Sequence, residues 1–127
     1  SERNIIYMMT SQQMAEKIVG VLANRIGRDI KLLKIDNITV IADYFVICTA
    51  SSTTQIKSLC DEVEKVMEEN GENLLHREGY RAGGWVLMDY GCVIVHVFMK
   101  EAREFYGLER LWADAQDIDV SEIVGER

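Results

Sequence analysis

The stretch Gly83-Gly-Trp-Val-Leu-Met-Asp-Tyr-Gly-Cys-Val-Ile-Val-His-Val-Phe-Met99 decides the fold of this chain. Its two halves, residues 85–89 and 92–98, are rich in β-branched and aromatic residues, which favour strands. Gly91 lies between the halves, where a tight hairpin needs a residue that tolerates a positive φ. In the second half His96 is the one residue that is not apolar, so both faces of that strand are apolar. The stretch therefore predicts a β-hairpin whose second strand lies in the interior of a sheet.

The first strand of this hairpin has two unlike faces. Side chains alternate along a strand, so Trp85, Leu87 and Asp89 share one face, and Val86, Met88 and Tyr90 share the other. A tryptophan and a carboxylate on one face are typical either of a fold anchor or of a contact surface. From the sequence, both interpretations remain open for Trp85.

Upstream of the hairpin the pattern predicts two helices and two strands. Apolar residues recur at helical spacing after a cap at Ser11 and again after a capping box formed by Ser52 and Gln55. The first helix is expected to stop at Gly27 and the second at Asn70-Gly71. The predicted strands are residues 29–35 and the continuously apolar run 43–50, which is typical of a strand buried on both faces.

The segments around the hairpin are shorter. A short strand at residues 73–76 and a glycine-containing flexible loop at residues 77–84 lead into it. After it, residues 101–107 predict a short helix with Ala102, Phe105 and Tyr106 turned inward.

The two ends of the chain are expected to be less ordered than its middle. Residues 1–9 are predicted to form either a loose arm or a short packing segment, and the acidic residues 113–127 are expected to fray. The prediction is a single domain over residues 1–127, with its core at about 11–115 and flexible ends. Its fold class is α/β, with a mixed β-sheet and helices packed on it.

Composition restricts the partners that the chain can have. Its 127 residues are 48% hydrophobic and 28% charged, which is enough for one core without metal or disulfide crosslinks. The net charge is −7 at pH 7. Phosphate recognition needs clustered Lys and Arg, so no direct specific nucleic-acid binding is expected. A basic protein partner suits the charge better.

The cysteines and the hydropathy indicate a cytoplasmic chain. Cys48, Cys60 and Cys92 are an odd number at long spacings, which favours buried, reduced thiols over disulfides or a zinc site. A secretory signal pattern is missing from the sequence given, and no apolar run reaches the ~18 residues of a membrane span. No membrane association is therefore expected.

No catalytic, cofactor-binding or metal-binding residue is predicted. The sequence has neither a Gly-x-Ser-x-Gly elbow nor a phosphate-binding glycine-rich loop. Asp89, Asp114, Asp117 and Asp119 raise the question of a two-metal site, but Asp89 has no carboxylate two positions away and the others lie in a polar tail. His96, alone on its strand, is assigned to structure.

Three blocks of the sequence carry a family resemblance. They are Asp43-Tyr-Phe-Val-Ile47 with Ser51, Ser52 and Gln55; Glu78-Gly79 with Trp85–Gly91 and Val93–Phe98; and Arg103-x-x-Tyr106-x-Leu108-Glu109-x-Leu111-Trp112. In this order and spacing the chain resembles the ribosomal silencing factor family, RsfS, also called Iojap-like, from about residue 11 to residue 115. Cys92 departs from the Asp usual in the family and alters the hairpin turn. Thr54 departs from a frequent Arg and bears on anion or RNA contacts there.

The resemblance implies a fold similar to the nucleotidyltransferases but without their enzymatic motifs. Members of the family bind the large ribosomal subunit through its protein fourteen and sterically block association with the small subunit, which represses translation. Organellar relatives assist large-subunit assembly, and homodimers are found in the family. The implied protein is a non-enzymatic translation repressor that needs no cofactor.

On this basis the contact surface is predicted on and beside the hairpin. The predicted partner-binding residues are Trp85, Leu87, Asp89, Tyr90, Phe98, Met99, Lys100 and Glu101. Two alternatives remain at this stage. One is a metal-dependent nucleotidyl- or phosphoryl-transfer enzyme, and the other is a dimeric scaffold in which the Trp85 face pairs with itself.

Overall fold

A computed structural model describes residues 9–125 of the chain, which form one six-stranded sheet with helices packed on it. The strands are β1 (Arg28–Lys34), β2 (Tyr44–Ala50), β3 (His76–Glu78), β4 (Trp85–Asp89), β5 (Val93–Met99) and β6 (Gln116–Ile118). The helices are α1 (Ser11–Asn24), α2 (Thr53–Glu69), α3 (Lys100–Tyr106), α4 (Leu108–Leu111) and α5 (Ser121–Val124). The prediction for the N-terminal arm lies, except for Met9, outside the described residues.

The sheet is mixed, which confirms the predicted fold class. Its strand order is β3-β4-β5-β2-β1-β6. Strands β2 and β5 run parallel, with Ile47 opposite His96, whereas the other neighbouring pairs are antiparallel. The two continuously apolar strands are the two at the centre, as their composition predicts. No helix among residues 9–125 is long and apolar enough to cross a membrane.

Different elements pack on the two faces of the sheet. Val93, Val95 and Val97 of β5 are buried in a large apolar cluster with residues of α1 and α2. Ile94 and Phe98 point the other way, into a smaller cluster with Phe45 and Trp112. This second face is covered only in part, by the segment that contains α3 and α4. It is the face that carries the candidate site, and is called the open face below.

The start of α1 differs from the prediction by one residue. Thr10, not Ser11, is the N-cap: its hydroxyl accepts from the backbone N–H of Gln13 at 3.1 Å, and the Gln13 side chain accepts from the Thr10 N–H at 2.9 Å. This reciprocal pair is a capping box. The helix ends at Asn24, before Gly27, because Ile26 adopts a left-handed conformation with φ of 63°.

The predicted cap of α2 is confirmed in part. The Ser52 hydroxyl accepts from the Gln55 N–H at 3.0 Å, as a helix N-cap does. The Gln55 side chain, however, accepts from the N–H and the hydroxyl of Ser51, at 2.6 and 2.8 Å, and not from the cap residue itself. The same side chain donates to the Ile26 carbonyl at 3.1 Å, so it also joins α2 to the turn after α1.

The expectation that the chain frays after residue 113 is wrong for the described part of this segment. Residues Gln116–Ile118 form β6, an edge strand antiparallel to β1, with Asp117 opposite Leu33. Helix α5 then packs its Ile123 and Val124 on the large apolar cluster. These short elements have little strand or helix preference of their own, and β1 and α1 supply the partners that order them.

The structure also tests the predictions for the cysteines and for the strand before the hairpin. Cys48 and Cys60 are buried as predicted, whereas Cys92 is half-buried. Burial raises the pKa of Cys60 to about 12, so its thiol stays protonated. The predicted strand at 73–76 lies two to three residues later, as β3, where it pairs with β4 at the sheet edge.

Candidate functional site

Trp85 lies half-buried on the open face, at the start of β4. Its ring stacks on Phe98 with 4.9 Å between centroids and contacts Tyr106 at 4.8 Å. Its indole N–H donates to Nδ1 of His96 at 3.2 Å. Trp85 therefore anchors the fold through one side of its ring and takes part in the surface through the rest.

His96 is buried in the middle of β5, beneath this surface. Its ring lies edge-on to Phe45 at 4.8 Å between centroids. Burial lowers the pKa of His96 to about 4, so the imidazole is neutral at pH 7. Since Nδ1 accepts from Trp85, the proton of the neutral ring is on Nε2, which has no hydrogen-bond partner within residues 9–125. This geometry favours the structural role assigned from the sequence.

Two of the predicted contact residues are not on the surface. Phe98 is fully buried, because Trp85 stacks on it and the sheet continues on both sides of β5. Tyr90 is also buried, and it points to the opposite face, into the cluster beneath α1 and α2. Burial raises the pKa of Tyr90. The placement of these two residues on an exposed contact surface is therefore corrected.

The other predicted contact residues are accessible. Leu87 and Asp89 follow Trp85 along the open face of β4 and are half-buried. The Asp89 carboxylate also accepts from the Gly91 N–H at 2.7 Å, which closes the hairpin turn. Met99 is half-buried at the end of β5, and Lys100 and Glu101 are exposed at the start of α3.

The structure adds exposed apolar residues to this part of the molecule. Phe105 of α3, which the sequence interpretation placed inside, is 79% exposed, and Leu111 of α4 is 77% exposed. Phe105 makes an edge-on contact with Tyr106 at 5.1 Å, and Tyr106 in turn contacts Trp85. Trp85, Leu87, Phe105 and Tyr106 are called the aromatic face below.

The prediction that Phe105 and Tyr106 both turn inward is wrong for a geometric reason. They are neighbours on a helix of seven residues, and adjacent helical positions lie about 100° apart around the axis. Only one of them can lie against the sheet, and here Tyr106 rests on Trp85 while Phe105 points to solvent. The signal was available in the sequence, since consecutive aromatic residues on a short helix rarely share a face.

Three exposed carboxylates lie on the elements that carry the aromatic face or pair with them. Glu78 lies opposite Leu87 on the edge strand β3 and is exposed. Glu101 and Glu104 are exposed on α3, beside Phe105 in sequence. These carboxylates favour a partner with basic groups.

Arg103 fixes α3 and α4 on the sheet. Its side chain is 10% exposed, and its guanidinium donates to the Glu109 carboxylate at 2.8 Å, the Asp29 carbonyl at 2.6 Å and the Thr49 hydroxyl at 2.7 Å. The hydrogen bond from Arg103 holds the pKa of Glu109 below its ordinary value, and Lys31 adds to this effect. Since α3 carries half of the aromatic face, Arg103 positions that face from behind.

Three of the four aspartates that raised the question of a metal site have other roles. Asp117 lies 3.4 Å from the ammonium of Lys31, and Asp119 accepts from the Ser121 N–H at 2.9 Å. Asp89 closes the hairpin turn, far from both in the strand order. Within the part of the chain that the structure describes, no three His, Cys, Asp or Glu side chains are placed to hold a metal ion.

The matches to known proteins cover nearly the whole chain. The sequence model of the family described as "Ribosomal silencing factor during starvation" matches residues 8–127. Ribosomal silencing factor RsfS from Halalkalibacterium halodurans is 34% identical over 116 residues, which cover 91% of this chain and 99% of that protein. The RsfS of Bacillus subtilis is 41% identical over 94 residues, which cover 74% of this chain and 80% of that protein.

A solved structure has the same fold. The crystal structure of a protein from Chromobacterium violaceum superimposes with a TM-score of 0.81 at 31% sequence identity. The superposition covers 83% of this chain and 88% of that one.

Proposed function

The chain belongs to the ribosomal silencing factor family, and from this membership we propose that it binds the large ribosomal subunit through its protein fourteen. Bound there, it sterically blocks association with the small subunit and so represses translation. The family is one of non-enzymatic factors, and such a mechanism requires only a surface that occupies the joining site. We place this activity in the cytoplasm.

The observation that carries the proposal is the aromatic face. Exposed large apolar residues are usual as single residues, whereas a connected group of them marks an interaction site. Here Phe105, Tyr106 and Trp85 form an unbroken series of ring contacts from solvent to the core. Aromatic residues held rigidly in this way are typical energetic centres of protein interfaces.

The charge of the molecule supports a basic partner. The chain carries a net charge of −7, and carboxylates border the aromatic face. Ribosomal proteins are usually basic, so the two surfaces attract over a distance comparable to the Debye length. Lys100, beside Glu101, is an exposed cation at the start of α3, and it suits a local acidic group of the partner.

Co-sedimentation with separated ribosomal subunits tests the proposal. We expect the protein to pellet with the large subunit, not with the small one, and to lower the yield of joined ribosomes as its concentration rises. Isolated protein fourteen should compete for binding. If the protein fails to pellet with the large subunit at physiological salt, the proposal is wrong.

The same surface is the proposed site of a homodimer. An apolar face can pair with itself, and the resulting dimer would have to dissociate before it binds the ribosome. Sedimentation velocity at a series of protein concentrations measures this equilibrium. Phe105→Ser should then weaken both dimerisation and large-subunit binding. An effect on only one of them would show that the two contacts use different surfaces.

A further inference from the structure

A second exposed apolar group lies in the loop between β1 and β2. Ile38 and Ile41 are 42% and 55% exposed, and Val40 between them is fully exposed. Three large β-branched side chains within four positions are therefore in contact with water. Scattered exposed apolar residues need no explanation, but a cluster on one loop does.

Hydrogen bonds hold this loop in one conformation. At its base the Ile35 N–H donates to the Asp43 carbonyl at 2.8 Å. The N–H groups of Ile38 and Thr39 donate to the Ile35 carbonyl, both at 3.1 Å, and the Ile41 N–H donates to the Thr39 hydroxyl at 3.3 Å. The apolar side chains are thus presented by an ordered loop, and a partner that binds them has little loop entropy to remove.

The loop lies away from the aromatic face. It precedes Tyr44, which is opposite Val93 at the start of β5, whereas Trp85 is opposite Phe98 near its end. Five residue steps along a strand correspond to roughly 17 Å. A partner that covers the aromatic face must therefore extend along the sheet to reach the loop, and the loop is a separate contact.

The loop has an acidic base. Burial raises the pKa of Tyr44, and the nearby carboxylates of Asp36, Asp43 and Glu16 raise it further. Neither Asp36 nor Asp43 forms an ion pair with any residue between 9 and 125. The apolar tip thus lies close in sequence to two carboxylates without an ion-pair partner among residues 9–125, an arrangement that favours a basic group over phosphate.

We propose that the loop of Ile38, Val40 and Ile41 is a second docking element, which receives a basic protein segment with apolar side chains on the large ribosomal subunit. This inference rests on the proposed function. Val40 and Ile41 contact the apolar side chains of that segment, and Asp36 and Asp43 contact its Lys or Arg residues.

Matched substitutions of two isoleucines, one in the loop and one outside it, test whether the loop contacts the large subunit. Ile41→Asn changes the loop, and Ile26→Asn changes an isoleucine of similar exposure, 61%, in the turn between α1 and β1. Val40→Asn is a second loop variant. Their dissociation constants for purified large subunits are measured after circular dichroism has confirmed equal folding. The loop variants should bind at least about fivefold more weakly than wild type, and the control within twofold.

The outcomes separate this inference from the proposed function. Equal affinity of the loop variants and the control, with wild type still bound, overturns the loop assignment alone. Absence of wild-type binding overturns the proposed function and this inference with it.

A photo-crosslinking side chain at position 40 identifies the occupant directly. On large subunits, we expect the adduct to be a Lys- or Arg-rich segment of a ribosomal protein. An adduct with ribosomal RNA, or with a second copy of this chain, would overturn the assignment to a basic protein segment.

Discussion

The indole N–H of Trp85 donates to Nδ1 of His96 diagonally across the β4–β5 pair, at 3.2 Å. This bond joins a residue of the surface to one that is 97% enclosed, since His96 is 3% exposed. Because Tyr106 rests on the same indole, the orientation of the aromatic face depends on this partly buried hydrogen bond.

Trp85→Phe removes this bond while it retains most of the ring stack. We expect the free energy of unfolding to fall by about 1–2 kcal/mol, because a buried acceptor on His96 loses its donor. Chemical denaturation measures the change. In a His96→Leu background the acceptor is already absent, so Trp85→Phe should there have a clearly smaller effect; equal effects in both backgrounds would show that the two residues are not coupled.

The stability of the protein should fall as the pH falls from about 6.5 to about 4, in part through His96. The folded pKa of about 4 lies below the value of 6.5 for an exposed histidine, so the unfolded chain binds a proton in this range before the folded one does. The His96 contribution to this loss approaches about 3 kcal/mol at pH 4 and is absent above pH 7. Denaturation of wild type and His96→Leu at pH 7 and 4.5 checks it: the variant should lose less stability, and parallel losses would contradict the assignment.

Arg103→Lys should destabilise the protein by about 2–3 kcal/mol. A lysine ammonium cannot reproduce the three contacts of the guanidinium with Glu109, Thr49 and Asp29, so the buried Thr49 hydroxyl and the half-buried Glu109 carboxylate lose a donor. Arg110→Lys, on the exposed side of α4, is the control and should change stability by less than about 0.5 kcal/mol. Thermal unfolding compares the stabilities of the two variants. Equal melting temperatures would show that Arg103 does not hold α3 and α4 on the sheet.

Gly79→Ala should be far more damaging than Gly71→Ala. Both glycines have a positive φ, of 83° and 82°, so an alanine is strained at either position. A Cβ at Gly79 would also overlap the carbonyl oxygen of Trp85, whereas the space beside Gly71 is open. We expect a loss of about 1 kcal/mol for Gly71→Ala, from strain alone, and at least about 2 kcal/mol for Gly79→Ala. Denaturant titration measures the stability of both variants. Similar losses of stability would show that the backbone at Trp85 shifts at little cost to make room for the Cβ.

Phe105→Ser separates binding from folding. The side chain is 79% exposed, so its loss should change stability by less than about 0.5 kcal/mol. Binding to the large subunit should weaken by about tenfold or more if Phe105 anchors the interface. Ile26→Ser, an exposed apolar residue outside the aromatic face, is the control for co-sedimentation. Unchanged binding of the Phe105 variant would exclude this residue from the contact.

Much of the fold follows from local patterns in the sequence. The alternation of Trp85–Asp89 and the apolar run around His96 establish the hairpin and its two faces, since a strand has a period of two whatever lies beside it. The central positions of β2 and β5 follow from apolar residues on both faces. The start of α2 follows from the hydroxyl of Ser52 three residues before Gln55.

The site could be predicted only in part. Trp85, Leu87 and Asp89 are on the open face as their spacing indicates, but spacing does not show what lies above a residue. Phe98 shares their face and is nevertheless buried, because the indole of Trp85 covers it.

The sequence by itself determined the order of the main helices and strands, their apolar faces and the family to which the chain belongs. Tertiary structure decided the rest: the pairing of Gln116–Ile118 with β1, the exposure of Phe105 and the presentation of Val40 on an ordered loop. The physical reason is length. The long helices and the strands of the hairpin show a periodicity in the sequence, whereas β6, with three residues, the short helix α3 and the loop of Val40 show none that decides their packing and take the conformation that their neighbours allow.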